Sequence, residues 1–129
     1  MKEIKISSAG LTKLFSSIGG EPALENILER FYQKMSQDLL IGYFFDHHDV
    51  RAIARKQKEF LMRAWGITPS YSGKAPADAH KALPQILRGH FDRRLVLLAE
   101  TLREFKVSET DITLWVSFED KFRDGIVTD

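Results

Sequence analysis

The chain has 129 residues, 43% hydrophobic and 29% charged, which is typical of one folded domain and argues against disorder. Nineteen basic and eighteen acidic side chains leave a net charge of +1, so no electrostatic footprint for nucleic acid or an anionic membrane is present. Cysteine is absent, which excludes disulfides, thiolate nucleophiles, zinc–thiolate sites and cysteine-linked cofactors. With no signal-peptide or membrane-spanning pattern, we expect a cytoplasmic protein.

Apolar residues recur at helical spacing along almost the whole sequence, and no convincing strand alternation is found. A first helix, LTKLFSSI, is predicted to end at Gly19-Gly20, because glycine readily adopts the left-handed conformation that terminates helices. A second begins at EPALE, where Pro22 is tolerated in the first turn. After a hydrophobic corner, DLLIGYFF, a third helix is predicted from Asp49 to about Trp65. The apolar stripe of the second helix comprises Leu24, Ile27, Leu28, Phe31 and Met35.

The second half of the sequence predicts a loop, a short helical piece and two longer helices. Residues 66–76, GITPSYSGKAP, contain two Pro and two Gly and are typical of a loop. Ser108 and Asp111 form a Ser-x-x-Asp variant of the capping box at the start of the last helix. The expected fold is one all-α domain over residues 1–129, with residues 1–10 as a loosely held extension. The helix before Ser108 is predicted to bury Phe91, Leu95, Leu98, Leu102 and Phe105.

Two polar residues, Tyr32 and Gln57, occupy positions within apolar stripes. Tyr32 lies between Leu28 and Met35 on the second helix, and Gln57 follows Ile53 by one turn on the third. A buried amide without a partner costs about 1–3 kcal/mol, so Gln57 must form a hydrogen bond. Two interpretations remain open. The two side chains bond each other or a backbone carbonyl in an ordinary core, or they converge on a cavity that holds a small polar ligand.

Four histidines are candidate ligands for a metal. His80 stands in GKAPADAHKALPQ, a short segment bracketed by prolines, and a lone histidine in such a segment is more often a solvated side chain than a ligand. His47 and His48 are adjacent, and adjacent residues point away from each other on a helix. His90 opens the long helix and belongs to its first turn. Because no histidine pair has helical i, i+4 spacing, a metal site built only from these side chains is not predicted.

Several segments together resemble the truncated, two-over-two haemoglobins, and most closely the group I type with a distal Tyr and Gln. They are LFSSIGGEPALENILERFYQKM, GYFF, RKQKEFLMRAWG, YSG, AHKAL and HFDRRLVLLAETLRE, and the likeness extends over about residues 11–107. The resemblance implies a truncated globin fold with a short first helix. It also implies a loop in place of most of the helix before the iron-ligating histidine, and non-covalently bound haem b.

Carried over to this chain, the resemblance assigns roles to individual residues. His80 resembles the proximal ligand of the haem iron, and Tyr32 and Gln57 resemble the distal hydrogen-bond donors. Arg94 departs from the family, which often has Trp or an aliphatic residue there. Either Arg94 reaches outward to solvent, or the pocket is more polar than usual. The other residues expected to contact haem are Phe44, Phe45, Ile53, Lys56, Phe60, Phe91 and Leu95, although Lys56 is equally well interpreted as a surface lysine.

The function implied by the resemblance is binding of O₂, NO and CO at a pentacoordinate haem iron, for O₂ transport or NO detoxification. Whether the chain is an enzyme, as an NO dioxygenase or in peroxidase-like chemistry, stays open. An electron-donating reductase is an expected partner, and a monomer or weak dimer is the expected state. The alternative is a globin-like helical sensor or interaction module that binds no haem.

Overall fold

The computed structural model describes residues 6–68 and 85–128, and these two ranges contain helices and no strands. The predicted all-α fold is therefore confirmed. No helix within the described ranges is long and apolar enough to cross a membrane. The elements are α1 (Ser8–Ile18), α2 (Gly20–Gln37), a 3₁₀ helix (Gly42–Phe45), α3 (Val50–Ala64), α4 (Arg88–Glu104), α5 (Glu109–Asp120) and the short α6 (Arg123–Ile126).

Helix α1 begins earlier than the sequence predicts, at Ser8. The reason is a serine cap: the Ser7 side chain accepts a hydrogen bond from the Gly10 backbone N–H at 3.0 Å. Residues 8–10 of the expected N-terminal extension are thus helical, while residues 1–5 lie outside the described ranges. The predicted break after α1 is confirmed, because Gly19 and Gly20 have φ angles of 115° and 76°.

The predicted limits of the third and last long helices are also confirmed. Asp49 caps α3, since its side chain accepts from two backbone N–H groups of the first turn, and Gly66 follows the helix with a φ of 79°. Ser108 caps α5 by accepting from the Asp111 backbone N–H at 3.2 Å. The loop predicted over residues 66–76 and the helical piece that carries His80 fall largely within residues 69–84, outside the described ranges.

Helix α2 lies at the centre of the described fold, where it packs against α1, α3, α4 and the 3₁₀ helix. Helix α5 packs against α4 and α1 on the other side of the core. Trp65 and Trp115 are fully buried and meet edge to face, with ring centroids 4.9 Å apart and planes at 87°. All five residues of the predicted α2 stripe are buried, namely Leu24, Ile27, Leu28, Phe31 and Met35.

One predicted core residue on α4 is wrong. Phe105 is 40% exposed, because α4 ends at Glu104 and Phe105 has left the helical periodicity on which the prediction rests. Leu97 occupies the buried face instead, and Leu95 is only half-buried. The predictions for Phe91, Leu98 and Leu102 are confirmed by their burial.

The corner between α2 and α3 is held by Asp38, whose side chain is only 8% exposed. Its Oδ2 accepts from the backbone N–H groups of Leu40 and Ile41 at 3.1 and 3.2 Å. Its Oδ1 accepts from Arg93 of α4 at 2.8 and 3.0 Å. Asp38 therefore fixes the start of the 3₁₀ helix and ties it to α4. The hydrophobic corner is only partly buried, since Ile41 points inward while Leu39 and Leu40 are exposed.

Gly42 opens the 3₁₀ helix at a point where the chain comes very close to the end of α2. A Cβ at this position would lie 2.8 Å from the carbonyl oxygen of Ser36, closer than real Cβ contacts come. Only glycine fits here, because any side chain would collide with the backbone of α2. The missing side chain allows the 3₁₀ helix to pack closely against the end of α2.

Candidate functional site

Tyr32 of α2 lies against the 3₁₀ helix that follows it. The side chain is almost fully buried, and its ring meets Phe45 edge to face, with centroids 6.0 Å apart and planes at 80°. It also tilts against Phe31 at 5.3 Å. Its side chain is also one of the neighbours that raise the pKa of Arg94 on α4. Tyr32 is thus a buried polar residue in contact with two aromatic rings and close to a cation.

Gln57 of α3 is half-buried and has a partner that the sequence does not predict. Its Nε2 donates to Oε1 of Glu119 on α5 at 3.4 Å. The core interpretation had named Tyr32 or a backbone carbonyl as the partner, and the observed acceptor is neither. Gln57 is therefore joined to a charged pair formed by α4 and α5.

That pair is Arg94 and Glu119, whose Nη1 and Oε2 atoms are 3.0 Å apart. The side chains are 19% and 6% exposed, so the pair is largely withdrawn from water. Glu119 accepts a further hydrogen bond at 3.2 Å from Nε1 of the buried Trp115. The Arg94 guanidinium also lies over the Phe31 ring, 5.2 Å from its centroid. Arg94 therefore does not reach outward to solvent, and a pocket more polar than usual stays a prediction.

The charge on Arg94 is secured by its surroundings. Burial of the guanidinium opposes the charge, but the Coulombic attraction of Glu119, the nearby Tyr32 side chain and the hydrogen bond that Arg94 donates to Glu119 together outweigh that penalty. The pKa of Arg94 is consequently raised above its ordinary value. Arg94 is therefore a permanent cation between α2 and α5, paired with Glu119 and lying over the Phe31 ring.

The apolar residues expected to contact haem come from the 3₁₀ helix, α3 and α4. Phe44, Phe45, Ile53 and Phe60 are only half-buried and pack at the edge of the core. Phe91 is buried under the Arg123 guanidinium, 4.7 Å from its ring centroid. These side chains form apolar surface on three neighbouring elements, and those at the core edge retain exposed area for a further apolar group. Leu95, the remaining apolar residue of this set, is half-buried on α4.

Lys56 is a surface residue in the structure. Its side chain is 58% exposed, and its Nζ pairs with Glu59 at 3.4 Å, one turn further along α3. An exposed i, i+3 pair of this kind contributes little to stability. The geometry agrees with the surface interpretation, and a role near a haem propionate stays a prediction.

Three of the four histidines lie within the described ranges. His90 is engaged at the start of α4, where its Nδ1 accepts from the Leu87 backbone N–H at 3.0 Å. In the neutral ring the proton then sits on Nε2, which is 3.4 Å from the Tyr43 hydroxyl. His47 and His48 are exposed ahead of α3. Residues 6–68 and 85–128 hold no cluster of three or more His, Cys, Asp or Glu suited to a metal. His80 lies outside the described residues.

Sequence analysis missed Glu119 and its hydrogen bond from Trp115. A signal for Glu119 is nevertheless present, since it stands one turn after Trp115 and two turns after Ile112, in line with their buried stripe. A carboxylate at a buried position needs a cation or a hydrogen-bond donor as its partner, and Arg94 on the neighbouring helix α4 is that cation.

A family model described as bacterial-like globin matches residues 13–127 of the chain. The Group 1 truncated hemoglobin GlbN of Synechocystis sp. is 35% identical over 102 residues, covering 77% of this chain and 82% of that protein. A Group 1 truncated hemoglobin of Chlamydomonas moewusii is 35% identical over 100 residues. That match covers 77% of this chain but 58% of the relative, so the chain spans less than two thirds of the algal protein.

Solved structures of similar chains share the fold. The truncated hemoglobin from Tetrahymena pyriformis, Fe(III) form, has a TM-score of 0.80 at 27% identity, covering 90% of this chain and 98% of that chain. Variants of it with a substituted tyrosine or glutamine give the same score. The 2/2 hemoglobin from Synechococcus sp. PCC 7002, in the cyanomet state and with covalently attached heme, also scores 0.80, at 28% identity over 88% and 97% of the two chains. This chain therefore belongs to the bacterial-like globin family, among the group 1 truncated haemoglobins.

Proposed function

We propose that this chain binds haem b non-covalently, with His80 as the protein ligand of the iron and Tyr32 and Gln57 facing the gas ligand. The observation that carries the proposal is the pairing of these two polar side chains with half-buried aromatic and aliphatic surface in a chain of the truncated haemoglobin family. In the Tetrahymena protein, the substituted tyrosine and one substituted glutamine are separated by as many positions as Tyr32 and Gln57.

The residues present fit a haem. A porphyrin is a flat apolar disc, and Phe44, Phe45, Ile53 and Phe60 offer half-buried apolar surface beside Tyr32 and Gln57. Phe91 and Leu95 on α4 are the further apolar contacts that we propose. The absence of cysteine supports non-covalent attachment, although heme is covalently attached in the Synechococcus relative.

The iron ligand is proposed from the family resemblance of the segment that carries His80, and the other three histidines are the alternatives to it. The Nδ1 lone pair of His90 is used by the Leu87 N–H, and its Nε2 faces Tyr43. His47 and His48 are exposed in the turn before α3. His80 lies outside the described residues, and it is proposed because it occupies the AHKAL segment that resembles the proximal region of the family.

His80 would hold the iron of bound haem, and that iron would supply a binding position for a diatomic gas, where O₂ would carry more negative charge than CO. The Tyr32 O–H and Gln57 N–H groups are donors suited to a partly negative ligand, and each such charge-assisted bond contributes about 1.5–3 kcal/mol. Two donors slow the release of O₂, which favours NO detoxification over O₂ delivery. Repeated turnover then requires an electron-donating reductase, and we propose a cytoplasmic monomer or weak dimer that works with one.

The proximal assignment is tested by replacing His80 with Gly and titrating haem with and without added imidazole. We expect the variant to lose the wild-type Soret band and to regain it when imidazole is supplied. His90→Gly is the matched control and should keep the wild-type spectrum. If the His80 variant binds haem normally, the assignment is wrong. If the wild-type chain shows no Soret band at all, the alternative of a haem-free sensor or interaction module is favoured.

The distal assignment is tested with Tyr32→Phe, Gln57→Leu and the double variant, by stopped-flow dissociation of O₂ and CO. Removing the Tyr32 hydroxyl should accelerate O₂ dissociation about tenfold or more, at 1.36 kcal/mol per decade, and CO dissociation far less. The double variant should be non-additive, because both donors serve one ligand. Equal changes for O₂ and CO would indicate steric access and contradict the hydrogen-bonding role.

Phe45→Ala tests the apolar side of the site. Phe45 packs on Tyr32 and is half-buried, so its truncation should cost about 3 kcal/mol, the lower end for an aromatic residue, in the holoprotein. Urea unfolding with and without haem measures the change. An unchanged holoprotein would place Phe45 outside the haem contact.

A further inference from the structure

The first turn of α4 is helical although its own residues favour a helix start poorly. Leu87 stands at the N-cap position and has no side-chain oxygen to accept a hydrogen bond from the turn. Arg88 places a positive charge at the helix end where the macrodipole disfavours it, and Gly89 is a weak helix former. The turn gains one bond of its own, from the Leu87 backbone N–H to Nδ1 of His90 at 3.0 Å. Contacts from elsewhere in the fold are therefore expected to hold this turn in place.

The short helix α6 and the two residues after it supply such contacts. The Thr128 backbone N–H donates to the carbonyl oxygen of Ile86 at 2.9 Å, and the Thr128 hydroxyl donates to the same oxygen at 3.3 Å. Nη2 of Arg123 lies 2.8 Å from Oδ1 of Asp92, and the same guanidinium lies over the ring of Phe91 at 4.7 Å from its centroid. The start of α4 is thus held both before and after its first turn.

Residues 122–128, which we call the α6 clamp, are themselves anchored in the core. Phe122 meets Phe60 of α3 edge to face, with ring centroids 5.6 Å apart, and it meets Phe118 of α5 in the same way at 5.3 Å. Phe60 and Phe91 are both proposed haem contacts. The clamp therefore touches the proposed haem site on two helices, at Phe60 through an aromatic contact and at Phe91 through a cation.

We propose that the α6 clamp positions the start of α4 for haem binding: it holds Phe91 in its haem contact and fixes one end of the chain segment that carries His80. His80 lies outside the described residues, six positions before Ile86 in the sequence. The inference rests on the proposed haem-binding function. Arg123 and Thr128 are positioning residues, because neither is assigned a contact with haem or with its gas ligand.

The strength of these contacts decides what the clamp can do. The carboxylates that pair with Arg123 are 58% exposed in Asp92 and 50% exposed in Asp120, so the ion pairs add little to the stability of the whole fold. The bonds from Thr128 to Ile86 are of ordinary strength. A few contacts of this size are nevertheless enough to decide whether one poorly capped turn is closed or open. Loss of the clamp should therefore open the start of α4 locally and leave global unfolding nearly unchanged.

The test is the double variant Arg123→Met with Thr128→Pro, compared with Arg103→Met with Thr128→Ala. Proline removes the N–H that bonds to Ile86, and the preceding Val127, with φ −75° and ψ 137°, already has the extended backbone that a residue before proline prefers. In the control, alanine keeps that N–H, and Arg103 forms an exposed ion pair at 3.0 Å at the other end of α4. The control therefore removes the same charge and the same hydroxyl but leaves the backbone bond and the Phe91 contact intact.

Haem loss from the ferric holoprotein to an excess of apomyoglobin should be about fivefold faster or more in the Arg123/Thr128 variant, the change that follows from losing one hydrogen bond. The control should stay within about twofold of wild type. Hydrogen exchange of the holoprotein, followed by mass spectrometry, should accelerate in peptides that cover residues 86–92 and stay unchanged in peptides from α2, with the urea midpoint also unchanged. The iron–histidine stretch in the resonance Raman spectrum of the ferrous variant should broaden, because one end of the segment that carries His80 is no longer fixed.

Each other outcome counts against the inference. Haem loss at the wild-type rate in the Arg123/Thr128 variant would overturn it while leaving haem binding intact. A variant that does not fold, or in which the α2 peptides and the urea midpoint change together with residues 86–92, would also overturn it, because the clamp would then be a general stabiliser. A wild-type chain without a Soret band would overturn the proposed function and this inference together, so the two failures are distinguishable.

Discussion

Replacement of Asp38 by Asn should destabilise the chain by about 2 kcal/mol at neutral pH. Asp38 uses one oxygen for the Arg93 guanidinium and the other for the backbone N–H groups of Leu40 and Ile41. An asparagine has one acceptor oxygen, so it can serve one of these two sides and must turn an N–H₂ donor towards the other. The loss corresponds to about one charge-assisted interaction, taken near the low end because Arg93 is 37% exposed.

The difference in stability between wild type and Asp38→Asn should depend on pH, because the hydrogen bonds of Asp38 shift the pKa of its carboxyl group. The Arg93 hydrogen bond lowers the pKa of Asp38 below its ordinary value of 3.8; burial opposes this shift, and the two backbone N–H groups reinforce it. Because the pKa is lower in the folded chain, the carboxylate's stabilisation is fully present above the unfolded pKa of about 4. It is lost as the pH falls through the folded pKa. The difference between wild type and Asp38→Asn should be constant from about pH 7 to 5 and should narrow below about pH 4.

Urea unfolding of the two proteins at several pH values between about 3.5 and 7 measures this difference. Asp46→Asn, at an exposed position in the turn before α3, is the matched carboxylate-to-amide control and should change stability by less than about 0.5 kcal/mol. A wild-type advantage that is absent at pH 7, or that persists undiminished below pH 4, would refute the assignment of Asp38 as the residue that holds this corner.

Two further predictions concern packing. Trp115→Phe should lower the free energy of unfolding by about 1–2 kcal/mol more than Trp65→Phe, as measured by urea unfolding. The reason is that Trp115 Nε1 donates to the buried Glu119, whereas Trp65 Nε1 has no acceptor among the described residues. Equal losses of stability in the two variants would contradict the importance of that hydrogen bond. Gly42→Ala should cost about 1–3 kcal/mol, because its Cβ would lie 2.8 Å from the Ser36 carbonyl oxygen, and a thermal or urea midpoint unchanged from wild type would show that the corner relaxes freely.

Helix limits and the α2 stripe were predictable because each depends on local chemistry. Gly19 and Gly20 break the chain through their own backbone freedom, and Asp49 and Ser108 cap helices within three residues of themselves. Phe105 shows where that reasoning fails. Its spacing fits the buried face of α4, but the helix ends one residue before it, and a periodicity carries no information beyond the end of its helix.

The candidate site was only half predictable for a different reason. Tyr32 and Gln57 are conspicuous in the sequence because they interrupt apolar stripes, yet their partners lie on helices far away along the chain. Arg94 was recognised as unusual, and Glu119 was not recognised at all. A single charged residue in a helix gives no indication of its partner, since pairing depends on how α4 and α5 are packed together.

Both tryptophans of the sequence form a single contact, the edge-to-face pair of Trp65 and Trp115 between α3 and α5. Two indoles packed together with ring centroids 4.9 Å apart in a rigid core lie in a fixed asymmetric environment, so the folded chain should show tryptophan bands in near-ultraviolet circular dichroism. Because the sequence has no third tryptophan, those bands report on the packing of α5 against the end of α3. A compact state that kept its helices but loosened their packing would retain far-ultraviolet dichroism and lose these bands. Loss of the near-ultraviolet tryptophan bands would therefore show that α5, which carries Glu119, no longer packs against the end of α3.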